Sequence, residues 1–171
     1  TASFGHGITT TLIQLVKAYS IIANGGYNID PTLIKNKNRI KREKILSDDV
    51  SKKILPILRK IVSTKNGTAS LANVSGFEVG GKTGTAQKSV NGVYTNKKIN
   101  SFLSVFPTSK PKVVMAVMLD EPKISKDYIY HYRDGSNIKY KGTPFNTAGW
   151  TAVEVTGQIL DKIGPILATK Y

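Results

Sequence analysis

Apolar positions recur along the chain with two periods, first helical and then strand-like. Leu12, Leu15, Val16, Tyr19 and Ala23 repeat at three- and four-residue spacing between the N-cap candidates Thr9-Thr10-Thr11 and the stop signal Asn24-Gly25-Gly26. That is an amphipathic helix, and its expected role is core packing. Residues 27 to 45 hold Pro31 and the run Lys35-Asn36-Lys37-Asn38-Arg39-Ile40-Lys41-Arg42, the composition of an exposed hairpin or loop. A second helix opens at Ser47-Asp48-Asp49, where the acids suit the helix dipole, and Ile54, Ile57, Leu58, Ile61 and Val62 form its buried stripe. Pro56 removes a hydrogen bond inside it and predicts a kink or break near Leu55. Asn66-Gly67 ends the segment, and Thr68 to Gly76 reads as a turn-rich approach.

From Phe77 the period is that of strands. Phe77 to Lys88 is one strand, Ser89 to Asn96 a turn region with the Asn91-Gly92 signal, and Ile99 to Phe106 the returning strand. After a turn over Pro107 to Pro111, the unbroken apolar run Val113 to Leu119 suits a strand covered on both faces. Residues 120 to 146, rich in Tyr, Lys, Gly and Pro, have no period and read as a surface loop, partly disordered. Thr147 then caps a last helix with Val153, Thr156, Ile159, Leu160 and Ile163 on one face and Gly164-Pro165 near its end. The organisation is a helical part (8–64), a sheet meander (77–119), a loop (120–146) and a C-terminal helix (147–167). Helices, then strands, then a helix give an α+β fold, an antiparallel sheet flanked by helices.

Composition narrows the chemistry. A chain of 171 residues fits one domain, and zero cysteines exclude disulfides and thiolate metal sites. Two histidines, His6 and His131, far apart in sequence, give no support for a metal centre, and no cofactor is implied. His6, between glycines in the loop before the first helix, reads as a local structural residue, with lining a cleft as the alternative. No run approaches the roughly 18 to 20 apolar residues of a membrane span. The formal charge of +14, from 25 basic and 11 acidic residues, permits binding to nucleic acid, anionic lipid or an anionic polymer. The lysines are scattered, however, and the dense patch from Lys35 to Lys44 has no interleaved aromatics to stack bases, so nucleic acid is not expected.

The stretch with the most chemistry is Gly80-Gly81-Lys82-Thr83-Gly84-Thr85-Ala86-Gln87. In an extended strand Lys82 and Gly84 fall on one face and Thr83 and Thr85 on the other, so a cation and two hydroxyls flank a single edge. Gly84, with no Cβ, leaves room for a substrate backbone against the strand.

Lys82-Thr83-Gly84, continuing as Thr85-Ala86, resembles the K-T-G element of the penicillin-binding proteins and serine β-lactamases, whose other elements are S-x-x-K and S-x-N. The surrounding order is Ser3-Phe4-Gly5-His6-Gly7 before a helix, Gly67-Thr68-Ala69 before the motif and Asp120-Glu121-Pro122 after the strands. It resembles the transpeptidase domain of class B penicillin-binding proteins. Ala148-Gly149-Trp150 is similar to the division-type members.

The resemblance implies a serine D,D-transpeptidase that cross-links peptidoglycan stem peptides and binds penicillin. In it Lys82 sets the proton network of the S-x-N serine, and the Thr83 and Thr85 hydroxyls bind the terminal carboxylate of a D-Ala-D-Ala stem peptide or a β-lactam. The Thr85 backbone N–H supplies half of the oxyanion hole, and Gly84 completes the motif. It further implies a bacterial inner-membrane protein with its domain on the periplasmic face, an N-terminal anchor outside this sequence, and division proteins as partners.

Beginning without Met and inside a mid-domain motif, the chain reads as a C-terminal fragment, inactive alone and open to self-association through uncovered sheet edges. Ser109-Lys110-Pro111-Lys112 and Ser136-Asn137-Ile138-Lys139 fit S-x-x-K, and Ser89-Val90-Asn91 fits S-x-N, only as strings. The first holds a proline in a turn, the second lies in the aperiodic loop and the third in the hairpin turn. The nucleophile is therefore expected upstream. Ser104 stands where the family usually has glycine. The alternatives are a β-lactamase or D,D-carboxypeptidase of the same fold, or a non-catalytic basic interaction module.

Overall fold

The computed structural model describes residues 7–34, 42–142 and 144–170. The sequence features at Ser3 to His6 and the basic run from Lys35 to Lys41 lie outside the described residues. Three strands, β1 (Gly80–Val90), β2 (Val93–Phe106) and β3 (Val113–Asp120), form an antiparallel sheet in the order β1-β2-β3. Helices α1 (Leu12–Ala23), α2 (Asp48–Ser63) and α3 (Ala152–Lys170) pack on it, α2 against β1, α3 against β2 and β3, and α1 against β3, β2 and α2. The α+β architecture read from the sequence is the one observed.

The local signals act as their chemistry dictates. Thr11 caps α1 through a reciprocal pair: its hydroxyl accepts from Gln14 N, and Gln14 Oε1 accepts from Thr11 N at 2.8 Å. Asn91 and Gly92 both take positive φ, 52° and 80°, and Val90 pairs directly with Val93. This is the left-handed two-residue turn that matches the twist of a hairpin. The expected eight-residue turn therefore shrinks to two residues, and β2 begins at Val93 rather than Ile99. At the other end β1 starts at Gly80, because Glu78 has φ 46° and breaks the extended run that the pattern placed from Phe77.

Two-sided burial falls on a different strand from the one expected. Phe102 to Phe106 of β2 are buried at every position, with Leu103 and Val105 on one face and Phe102, Ser104 and Phe106 on the other. β3, for all its apolar content, is half-buried, and Met118 is exposed. The reason is topological: β2 is the middle strand, whereas β3 has a neighbour on one side only among the described strands.

The core unites Val62 of α2, Leu71, Ala72 and Val74 of the approach segment, Val79, Phe102 and Phe106, Tyr130, and Ala152, Val153 and Leu160 of α3. α1 is less of a core element than its pattern suggests, with no fully buried residue. In α2 the buried positions are Ser51, Leu58 and Val62, while Ile57 is exposed, and of the kink or break expected near Leu55 the break does not occur, the helix continuing through Pro56. α3 runs through Gly164-Pro165 to Lys170, three residues beyond the expected end at 167, and starts at Ala152 rather than 147 because a tight 3-10 turn, Ala148–Trp150, precedes it.

The aperiodic segment 120–146 is the largest departure. It is not a plain surface loop: it carries a second, two-stranded sheet, β4 (Ile129–His131) and β5 (Lys139–Lys141), joined by a turn with positive φ at Gly135 and Asn137. Tyr130 is buried, and its ring meets Trp150 edge-on at 5.1 Å and Tyr128 at 4.8 Å. Strands of three residues are too short to show a period, and aromatic stacking on the neighbouring elements holds them in place.

Candidate active site

β1 lies at the edge of the sheet, so the N–H and C=O groups of its outer side have no ladder partner among the described strands. Thr83 and Thr85 project to the same face, as strand alternation requires, and both line an open cavity of about 280 Å³. The other walls come from three places: Gly67, Thr68, Ser70 and Leu71 of the approach segment, Tyr132 just after β4, and Thr147, Gly149 and Trp150 before α3. No acidic side chain is among these lining residues.

Two hydroxyl contacts define the floor. Thr83 Oγ1 and Thr68 Oγ1 stand 3.5 Å apart, and Thr85 Oγ1 accepts a hydrogen bond of 3.0 Å from Ala148 N. A hydroxyl has one donor and two acceptor sites, so a Thr85 oxygen that already accepts from Ala148 keeps its O–H for a ligand. An acid-free cleft with threonine donors and the outer backbone of an edge strand can hold a carboxylate and a peptide carbonyl.

Lys82 stands apart from this floor. It is exposed, its Nζ donates to Thr83 O at 2.9 Å, and it does not line the cavity. Cation and hydroxyls thus flank the β1 edge from opposite faces, as strand alternation requires, and only the hydroxyl face lines the cavity. Gly84 also lies off the cavity. A Cβ there would come within 2.7 Å of Ser101 Oγ on β2, so the cross-strand neighbour by itself calls for a glycine.

No residue of the S-x-x-K and S-x-N strings lines the cavity. Ser109 sits in the β2–β3 turn with its hydroxyl and amide on the Glu78 carboxylate. Ser136 is tied to Asp134 at 2.5 Å in the β4–β5 turn, and Ser89-Val90-Asn91 ends β1 at its hairpin. None places a serine and a lysine one turn apart on a helix. Among the described residues no group of three His, Asp or Glu side chains stands close enough to hold a metal ion.

Behind the cavity lies a buried polar cluster that the sequence did not reveal. Arg133 and Glu154 form a two-pronged ion pair at 2.8 and 2.9 Å. Burial alone raises the Glu154 carboxyl, but the hydrogen bonds from Arg133 and Tyr128 outweigh it and hold it below the usual carboxylate range. Tyr128 is pushed up to about 12, first by burial and then by its hydrogen bond to Glu154, so it remains a donor. Of the lining residues outside β1, Gly67, Thr68, Gly149 and Trp150 belong to segments that the sequence singles out. Ser70, Leu71, Tyr132 and Thr147 were not site candidates, and for Tyr132, in a stretch without period, no sequence signal exists.

Comparison with known proteins gives a consistent answer. The sequence model of the penicillin binding protein transpeptidase domain matches residues 1–138. The chain is 31% identical over 178 residues to the probable peptidoglycan D,D-transpeptidase FtsI of Caulobacter vibrioides, covering 98% of this chain and 28% of that protein. With the probable peptidoglycan D,D-transpeptidase PenA of Neisseria flavescens it shares 34% identity over 129 residues, covering 75% of this chain and 32% of the relative. The chain therefore spans about a third or less of these curated relatives.

Among solved structures, the transpeptidase domain of Burkholderia pseudomallei penicillin-binding protein 3 superposes with a TM-score of 0.74 at 28% identity, over 97% of this chain and 45% of that one. Motif, fold and family match agree: the chain belongs to the penicillin-binding protein transpeptidase domain family.

Proposed function

We propose that this chain forms the K-T-G side of the active site of a serine D,D-transpeptidase that cross-links peptidoglycan stem peptides and is acylated by penicillins. The observation that carries the reading is the cavity at the β1 edge, into which Thr83 and Thr85 bring two hydroxyls with no acid opposite them. A terminal D-alanine carboxylate, or the carboxylate of a β-lactam, accepts from those hydroxyls. The scissile carbonyl lies along the strand, where the Thr85 N–H supports the oxyanion.

Lys82, on the opposite face of β1, serves the proton network of the S-x-N serine. The attacking serine and its S-x-x-K lysine are supplied by residues other than those described. Support for the substrate class comes from the relatives' names, both peptidoglycan D,D-transpeptidases, and the FtsI relative favours a septal role for the whole protein on the periplasmic side of the inner membrane. No described helix is long and apolar enough to cross a membrane.

The test is covalent labelling of the full-length protein with a fluorescent penicillin. An adduct that survives denaturation, persists for many minutes and is lost in Thr85→Val supports the transpeptidase. Rapid hydrolysis of the label points to a β-lactamase. No adduct at any concentration overturns the reading.

A further inference from the structure

The polar contacts behind the cavity converge on Arg133. Its Nη1 donates to Glu154 Oε2 at 2.9 Å and its Nη2 to Glu154 Oε1 at 2.8 Å, and the two side chains are only 8% and 5% exposed. The same Nη1 donates to the Leu71 carbonyl at 3.1 Å and the His131 carbonyl at 2.9 Å. Tyr128 and Gln158 complete the shell around Glu154 Oε1 at 2.8 and 3.1 Å, and Asp161 Oδ2 lies 3.8 Å from Arg133 Nε. Gly157 makes room for the arrangement: a Cβ there would fall 2.5 Å from Leu71 O and 2.9 Å from Arg133 Nη1.

One guanidinium therefore ties together three segments, each of which carries part of the cavity wall. Leu71 is itself a wall residue, Tyr132 directly precedes Arg133, and Gly149-Trp150 lead into the helix that bears Glu154. Neither Arg133 nor Glu154 lines the cavity. A buried ion pair is a weak source of stability, since apolar side chains of similar size often hold two elements together equally well. What a forked arginine adds is direction, because two parallel N–H···O bonds fix an angle as well as a separation.

We propose that Arg133 is a positioning residue of the transpeptidase site: through Glu154 and the Leu71 carbonyl it holds the Tyr132 and Trp150 walls at a set distance from the Thr83 and Thr85 hydroxyls, and so decides which acyl donors fit. The inference rests on the transpeptidase reading above. It predicts that loosening the fork weakens binding of the acyl donor while leaving the acylation step itself intact, because no atom of the clamp touches the reacting groups.

Two variants of the full-length protein test it. Arg133→Met combined with Glu154→Gln removes both charges, so no unpaired ion is left buried. Arg133→Lys keeps the charge and loses the fork. With a labelled penicillin, the apparent dissociation constant rises on the order of tenfold in both, because a wall displaced by an ångström forfeits alignment, while the acylation rate constant at saturation stays within about threefold. Backbone hydrogen exchange accelerates at residues 131–141 and not at residues 99–106.

Variants that bind penicillin like the wild type, or a hairpin whose exchange is unchanged, overturn the proposal. A fall confined to the saturated acylation rate overturns it too, by showing a role in the chemistry. If the wild type forms no adduct, the transpeptidase reading fails first and takes this inference with it, so the two failures are told apart by the wild-type control.

Discussion

Thr85 Oγ1 accepts a hydrogen bond of 3.0 Å from the backbone amide of Ala148, joining the motif strand to the turn that starts the last helix. The two residues are 63 positions apart, and Ala148 is fully buried. A single hydroxyl thus serves as part of the cavity floor and as the acceptor for a backbone N–H that has no water to turn to.

Thr85→Ala is expected to do two kinds of damage. Leaving the Ala148 N–H unsatisfied costs about 1–3 kcal/mol, and the missing donor weakens penicillin binding. Thr85→Ser keeps the oxygen and recovers most of both. Chemical denaturation and penicillin titration of the full-length variants separate the effects.

Lys82→Ala behaves in the opposite way. The side chain is exposed and its one described contact is with its neighbour's carbonyl, so the denaturation midpoint stays at the wild-type value. Acylation by labelled penicillin, in contrast, falls by about a hundredfold or more, the size expected when a group in the proton network of acyl transfer is removed. Normal acylation in this variant removes the role assigned to the lysine.

Gly84→Ala is expected to destabilise the strand by about 1–3 kcal/mol through its clash with Ser101 Oγ. The clash is with the end of a short side chain, so Ser101→Gly in the same molecule relieves it. The double variant should be more stable than the sum of the single losses, with a coupling of about 0.5–3 kcal/mol. Simple additivity in denaturation experiments contradicts the cross-strand explanation of this glycine.

Breaking the buried pair by Glu154→Ala leaves the buried Arg133 charge with two carbonyls and only the distant, exposed Asp161 as counter-ion, at a cost of about 3–5 kcal/mol. Its pH dependence has a definite sign. The folded carboxyl titrates below its unfolded value, so the unfolded chain takes up the proton first on acidification. The contribution is present above the ordinary carboxylate value of about 4.3 and is lost as pH falls from there through the folded value.

Tyr128 sets the alkaline side of the same cluster. Pushed up to about 12 when folded, it keeps its proton while the unfolded chain loses it near the ordinary value of about 10, so stability falls as pH rises between them. Glu154→Gln makes the acid limb shallower and Tyr128→Phe the alkaline one, as read from thermal midpoints across pH, while the other shifted carboxyls and tyrosines keep their own share.

Much of the fold was legible because its signals are local. The Thr11 cap, the acids at the start of α2, the Asn91-Gly92 turn and the alternation of Thr83 with Gly84 each depend on residues within a few positions of one another. The same locality made the K-T-G element readable, since a strand puts Thr83 and Thr85 on one face whatever surrounds it.

The errors fall where the outcome depends on distant partners. The apolar run of β3 does not say that a middle strand, β2, would take the two-sided burial, and Pro56 does not say whether the surrounding packing holds a helix together through it. Residues 120–146 have no pattern because their order comes from rings packed against Trp150 and from one arginine reaching Glu154, contacts between residues far apart in the chain. Sequence alone determined which hydroxyls share a strand face; only the tertiary structure decided that Tyr132 and Trp150 would stand opposite them. A cavity wall is a relation between separate segments, and such relations exist only once the chain has closed on itself.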